Sequence, residues 1–188
     1  IDMNAKLTVR GVRGALPVAE KSFSEYGGNT SCFSLDYGKG ILCFDAGSGL
    51  SGLAGSLHET RRLDILISHV HLDHILGLVG LCALPGPEVH LYGEARQGVS
   101  FRRQLDTVIG SPYWPVGLDT PPGRIQVHEI APGDRILLPG EGNEDIHIST
   151  LRGNHPNESL LYRVDIGGKS ITYTLDCEMN KEIFARLT

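Results

Sequence analysis

Cysteine is sparse in this chain, and none of it is paired. Cys32, Cys43, Cys82 and Cys177 are scattered through apolar or strand-like stretches without a CxxC among them. That spacing argues against a cysteine metal clip and leaves buried, reduced thiols as the reading. Long apolar runs are missing too. No stretch approaches the ~20 residues needed to cross a bilayer, and the N-terminus lacks the basic-then-apolar order of a signal peptide. A soluble, cytoplasmic protein is the expectation, and the sequons at Asn29 and Asn157 are then accidental. Positive charge is in deficit, with 17 Lys and Arg against 22 Asp and Glu for a net charge of -5. This excludes a general attraction to nucleic acid, although a local basic groove is compatible with it. Low-complexity segments and linkers are absent. With 188 residues, 40% of them hydrophobic, the chain can bury one core, and residues 1–188 read as a single domain with Met3 as the expected native start.

What is present is a series of short strands punctuated by glycine and proline. "KLTVRGVRG" reads as a strand entering a turn, and "SCFSLDYGKGILCFDAG" as a hairpin turning at Gly38 to Gly40. "GLSGLAGSLHE" has the spacing of a short helix. "RRLDILISH" is an apolar strand whose C-terminal end delivers His69. "DHILGLVGLCAL" is predicted as one helix with Asp73 in its first turn, Leu76, Val79 and Cys82 or Ala83 facing a core, and Pro85 as its stop. "EVHLYG" is a further strand. Residues 94 to 124 form a longer, partly helical excursion ending in a proline-rich turn, after which "IQVHEIAPGDRILL", "DIHISTLRG", "SLLYRVDIGG" and "KSITYTLDCE" return to strands. Helices and strands mix in both halves, which places the fold in the α/β class.

Against this background "SHVHLDH" stands out, because it puts three of the eight histidines and an aspartate into the six positions from His69 to His74. On an extended segment residues i and i+2 point the same way, so His69 and His71 can approach one ion together. Asp73 and His74, displaced around the turn into the helix, can face a second. Imidazole and carboxylate are borderline ligands that suit zinc. His58, His90, His128 and His147 are isolated and read as ordinary core or surface residues.

The motif resembles that of the metallo-β-lactamase superfamily, whose HxHxDH is matched by His69, His71, Asp73 and His74. The resemblance continues through Asp45 in "CFDAGSG", His155 in "LRGNHPNES" and Asp176 in "YTLDCE". It implies an αββα four-layer sandwich in which two divalent ions, zinc first with manganese or iron as alternatives, are bound by the chain. His69, His71 and His155 would take one ion, Asp73 and His74 the other, and Asp176 would bridge them. Asp45 would hold a ligand histidine in its tautomer, and Asp73 would also orient the nucleophilic water or handle a proton. Members of this kind carry one more histidine downstream of the bridging aspartate. None follows His155 here, so the chain is expected to lack the C-terminal part of the fold.

The opening segments "RGVRGALPV" and "YGGNTSCFSLDYG" resemble the branch that includes ribonuclease Z and cyclic-phosphate phosphodiesterases. The implied activity is hydrolysis of a small or cyclic phosphodiester by a water shared between the ions. Thiolester or lactone hydrolysis is the alternative, and a non-catalytic metal-binding or interaction domain is the alternative from another class. "SPYWPVGL" is similar to a segment in that branch; Tyr113 and Trp114 either cap the site or pack a long loop on the sheet. The excursion offers only Arg96, Arg102, Arg103 and Arg124, so tRNA is disfavoured as a partner without being excluded. No membrane partner is expected, and a homodimer is left open.

Overall fold

A computed structural model describes residues 5–55, 57, 62–83, 86–120, 123–140 and 145–187. Two facing sheets form its centre. The first has six strands in sequential order: β1 (Lys6–Gly11), β2 (Cys32–Asp36), β3 (Ile41–Phe44), β4 (Arg62–Leu66), β5 (Glu88–Gly93) and β6 (Ile125–Glu129). β1, β2 and β3 pair antiparallel, whereas β3 to β6 are parallel. The second sheet is an antiparallel meander of β7 (Arg135–Leu138), β8 (Ile146–Gly153), β9 (Ser159–Ile166) and β10 (Lys169–Tyr173).

Burial follows from the strand period of two. Along β4, Leu63 and Ile65 face a core shared with the helices, while Leu66 faces the second sheet together with Phe44, Leu42, Leu160, Tyr162 and Val164. The helices α1 (Leu72–Ile75), α2 (Leu78–Ala83) and α3 (Phe101–Val108) lie on the outer side of the first sheet, supplying Ile75, Leu78, Leu81, Phe101 and Leu105. α4 (Lys181–Leu187) covers part of the second sheet through Leu187, packed on Leu151 and Leu161. The layers are therefore helix, sheet, sheet, helix, as the sandwich requires.

The short helix expected in "GLSGLAGSLHE" is a 3-10 helix, Ser48–Leu53. Two other local expectations need correction. The helix after the histidines is broken into α1 and α2 at Gly77, whose N–H donates to Ala46 O at 2.8 Å. A Cβ at Gly77 would lie 2.3 Å from Gly47 O, so the break is where this helix meets the loop after β3. Because of it Leu76 turns outward, 38% exposed, and Leu78 and Leu81 take the core positions beside Cys82. The thiols are free, and Cys177 is only partly buried, unlike the other three. Pro85, His58, Pro121 and Pro122 lie outside the described residues.

Asp64 is a core-facing carboxylate with no exposure, and it is satisfied: Arg62 donates to both its oxygens at 2.8 Å, and Tyr92 and Tyr37 add hydroxyls at 3.1 and 3.4 Å. Next to it His90 Nδ1 and His128 Nε2 lie 2.9 Å apart. Their rings are nearly coplanar, 11° with centroids 5.1 Å apart, so the two nitrogens point at one another and share one proton. Both imidazoles are held below their ordinary pKa by burial first, then by Arg62 for His90 and by His90 for His128. With folded values depressed, the unfolded chain takes up more protons as the pH falls below about 6.5, so their contribution is complete above that pH and is lost on acidification. Denaturant unfolding between pH 7.5 and 5 should show wild type losing stability faster than His128→Gln. The difference is bounded by ~1.4 kcal/mol per pH unit for each proton taken up. Parallel profiles would refute the neutral pair.

Candidate metal centre

The histidine cluster stands at the carboxyl ends of β3 and β4, the end of a parallel sheet where ligands commonly bind. β4 runs through Ile67 to Ser68 and His69, and α1 starts at Leu72 with His71 as its N-cap residue. The second sheet supplies His155 from the β8–β9 turn and Asp176 from the segment after β10. The two sheets are stitched at this end by Leu160 N–H to Ser68 O, 2.8 Å, and Tyr162 Oη–H to Ile67 O, 2.6 Å.

A glycine makes the close packing of the loops possible. A Cβ at Gly47 would sit 2.2 Å from Asp73 O, so only glycine lets the loop after β3 run beneath the HxHxDH turn. That loop is then tied down by Ala46 N–H to His74 O at 2.7 Å and by Ser48 N–H to Thr30 Oγ1 at 2.8 Å.

Two overlapping groups of donors result. His69, His71 and His155 form one, and His69, His74 and Asp176 the other; within each, one ligand atom per residue lies within 4.8 Å of the others. His69 Nε2 is 2.7 Å from His71 Nδ1, and His155 Nε2 is 3.5 Å from it. These distances resemble that of the His90–His128 pair, but the ring angles do not. His69 is inclined 76° to His71 and 72° to His155, so their lone pairs converge on a common point instead of facing each other. Asp176 Oδ2 lies 3.3 Å from His74 Nε2, 3.7 Å from His155 Nε2 and 3.9 Å from His69 Nε2.

Beneath the cluster Asp45, fully buried and at a φ of 56°, accepts four hydrogen bonds. They come from Ser68 N at 2.7 Å, Ser68 Oγ at 2.8 Å, His74 Nδ1 at 2.6 Å and Tyr173 Oη at 2.7 Å. This fixes two tautomers. In its neutral form His74 keeps its Nδ1 proton on Asp45 and turns a bare Nε2 to the site. Ser68 gives its only proton to Asp45, so its 3.0 Å contact with His69 must be donated by His69 Nδ1, which again leaves Nε2 bare. Burial and the neighbouring imidazoles hold His69 down to about 2, so it stays neutral. For His74 burial acts in the same direction, but the Asp45 hydrogen bond and the charges of Asp45, Asp73 and Asp176 outweigh it and lift the group to about 9. An ion held at His74 Nε2 near neutral pH would therefore displace a proton from it.

The donor set fits divalent cations. His74 Nε2 is buried without a hydrogen-bond partner among the described residues, and it faces two carboxylates. Such an orphaned nitrogen is costly unless an ion satisfies it.

The sequence profile of the β-lactamase superfamily domain matches residues 42–188. The chain belongs to this superfamily. It is 34% identical over 131 residues to ribonuclease BN of Salmonella paratyphi C, covering 66% of this chain and 39% of that protein. Its fold is similar to that of the metallo-β-lactamase fold protein YhfI from Bacillus subtilis, with a TM-score of 0.68 at 20% identity over 97% of this chain and 67% of that one. It is similar also to human tRNase Z, short form, with a TM-score of 0.64 at 20% identity, covering 96% and 73%. The chain spans less than half the length of the curated relatives it matches.

In this superfamily member, Asp73 belongs to neither donor group and stands beside the second: its Oδ2 is 3.5 Å from His74 Nε2 and accepts from Ala15 N–H at 2.9 Å. Tyr113 and Trp114 do not line the pocket beside the histidines. Tyr113 is 77% exposed, and Trp114 packs against the helical-side core. The residues that sequence reasoning passed over are Ser68, Tyr173 and the Ala15 amide. For Ser68 the one available signal was its place directly before His69.

Proposed function

We propose that this chain carries the metal centre of a hydrolase that cleaves a phosphodiester, with a small molecule or one flexible end as substrate. The observation that supports it most is the pair of overlapping donor groups sharing His69, with Asp176 between them and a pocket opening beside His71. His69, His71 and His155 would hold one divalent ion, and His74 and Asp176, with Asp73 beside them, a second. Zinc is the first expectation, with manganese or iron as alternatives; when bound, the ions supply Lewis-acid polarisation of a phosphoryl oxygen and acidification of water to near neutral pH. Asp73, with one oxygen held by Ala15 N–H, would orient the attacking water or accept its proton.

The names of the curated relatives, ribonuclease BN and ribonuclease Z, support a phosphodiester over a thiolester or lactone. Charge bookkeeping supports a small substrate. Arg96 is paired with Glu94, Arg102 with Asp106 and Asp119, and Arg124 donates to the carbonyls of Pro87 and Leu81, so these arginines are engaged within the protein. With a net charge of -5, a long polyanion gains little from this surface.

The metal-loaded protein is expected to cleave an activated aryl phosphodiester with a higher kcat/KM than a lactone, a glutathione thiolester or a chromogenic cephalosporin, and to lose that rate on chelation. A preference for the thiolester or lactone by more than ~10-fold, equivalent to 1.4 kcal/mol of barrier, would transfer the protein to that reaction class. Full metal loading without turnover of any of the four would make it a binding domain.

A further inference from the structure

Four charged side chains of alternating sign close a ring at the rim of the metal centre. Glu94 accepts from both Nη atoms of Arg152 and lies 2.6 Å from Arg96 Nη2. Glu158 Oε2 completes the ring, 2.7 Å from Arg152 Nη1 and 3.7 Å from Arg96 Nη1. Glu94 follows β5 of the first sheet and Arg152 belongs to β8 of the second, so the ring spans the two sheets. Arg96 makes one further contact, from Nη1 to the backbone carbonyl of Asn157, in the turn that carries His155. We propose that Arg96 is a positioning residue: it clamps the 155–158 turn in the conformation that brings His155 to His71, and so sets the affinity of the His69, His71 and His155 group for its ion without touching that ion. The role rests on the reading of His155 as a metal ligand.

His155 needs such a restraint because its imidazole is not fastened from behind. His69 is fixed through Nδ1 to Ser68 and His74 through Nδ1 to Asp45, whereas among the described residues no hydrogen bond reaches His155 Nδ1. Where its ring goes therefore follows from where its backbone goes. That backbone is strained: Asn157 and Glu158 follow each other at φ of 65° and 63°, with Glu158 N–H closing the turn on His155 O at 2.6 Å. Asparagine visits the left-handed region readily, but glutamate does not. Two consecutive residues there persist only where the surroundings impose them.

Arg96 is built to impose it. Its own backbone is locked by two hydrogen bonds exchanged with Val99, 3.0 and 2.9 Å, and its side chain is buried beside Glu94. Gln104 Nε2 holds the Glu94 segment by donating to its carbonyl at 3.0 Å. The guanidinium reaches Glu94 and Asn157 O at once because its nitrogens form a planar fork. Gln97 adds a longer contact, Nε2 to Asn157 Oδ1 at 3.4 Å. At the start of the turn Glu178 N–H donates to Asn154 O at 2.7 Å, which leaves Asn157 to Arg96 and Gln97. The second donor group, His69, His74 and Asp176, includes no residue of this turn. A loosened clamp should thus weaken one group and spare the other, whereas a general loss of stability would weaken both.

The test is a zinc titration of the metal-free protein at pH 8, followed by calorimetry and by NMR of the imidazole nitrogens, which reads each histidine separately. Arg96→Lys keeps a cation beside Glu94 but loses the fork. The zinc concentration at which His155 responds should rise ~10-fold or more, the usual effect of removing an outer partner of a ligand, while His74 responds as in wild type. Glu158→Asn, added to Arg96→Lys, puts a residue that accepts positive φ at the strained position and gives up only an exposed ion pair. It should recover most of the loss at His155. Arg96→Gln, which leaves Glu94 its two bonds from Arg152, should show the same selective loss and serves if unfolding curves show the lysine variant not to be folded. An unchanged response of His155, an equal loss at His155 and His74, or no recovery in the double variant overturns the role of Arg96 and leaves the metal centre standing. If zinc moves none of these histidines in wild type, the ligand reading falls and the role of Arg96 with it. No substrate takes part, so the reaction class can fail without altering this result.

Discussion

Replacing Asp45 by alanine should cost the metal-free protein ~3–5 kcal/mol, the range for removing one partner of a buried charged pair. Asp45 has no solvent exposure and is the common acceptor for Ser68 N, Ser68 Oγ, His74 Nδ1 and Tyr173 Oη. Alanine leaves all four donors in a site that water does not reach, and it sits poorly at a φ of 56°. Asp45→Asn separates the structural from the chemical consequence. Asparagine tolerates the left-handed conformation and can still accept from Ser68, so its cost to the fold should be the smaller. Its amide, however, is a donor on one side. His74 can then meet it only by accepting at Nδ1, which moves the imidazole proton to Nε2, where the ion would bind. Metal affinity should accordingly fall ~10- to 100-fold in a protein that is still folded. Denaturant unfolding of the metal-free forms, together with elemental analysis after dialysis, checks both parts. Wild-type metal retention in Asp45→Asn would show that Asp45 does not set the His74 tautomer.

How much of this was visible beforehand depended on sequence distance. His69, His71, Asp73 and His74 are legible because their chemistry lies within one strand end and one turn. Asp45, His155 and Asp176 are 24 to 102 residues from that motif's nearer end and have no local pattern of their own; they are legible only through resemblance. Tyr173, which completes the set around Asp45 from 128 residues away, reads as an ordinary inward residue of a strand. Likewise the apolar period through "DHILGLVGLCAL" is unbroken, and the helix divides only because Gly77 meets Ala46 and Gly47, a tertiary contact that local propensity does not encode. Strand placement succeeded more fully, since interior parallel strands such as "RLDIL" and "EVHLYG" are marked by apolar runs between turn residues. The Tyr113–Trp114 segment illustrates the converse: large aromatics in a loop suggest a binding wall, and here Trp114 packs on the core.

Asp176→Asn should instead abolish most of the activity while leaving the fold intact. Its carboxylate is 35% exposed, and its Oδ2 lies between His74, His155 and His69 at 3.3, 3.7 and 3.9 Å, so what it contributes is charge shared between the two donor groups. The backbone position is secured independently, by Ser159 Oγ–H to Asp176 O at 3.1 Å and Glu178 N–H to Asn154 O at 2.7 Å. Asparagine also accepts the φ of 54°. Unfolding of the metal-free variant should therefore stay within ~0.5 kcal/mol of wild type, as for a partly exposed site with no core contact. Loss of the anion leaves His69, His71 and His155 able to hold one ion but removes the only carboxylate in the group formed by His69 and His74, so metal content should drop towards one per chain. On the proposed two-ion phosphodiesterase reading, where two-metal charge stabilisation supplies several kcal/mol of barrier, kcat/KM on an aryl phosphodiester should fall by ~10³-fold. An independent reading is available without turnover. Asp176 is one of the charges that lift His74 to about 9, so the His74 imidazole of the metal-free variant should titrate lower, as followed by NMR. A variant that keeps two ions and wild-type kcat/KM would remove Asp176 from the centre and leave the His69, His71, His155 group to act alone.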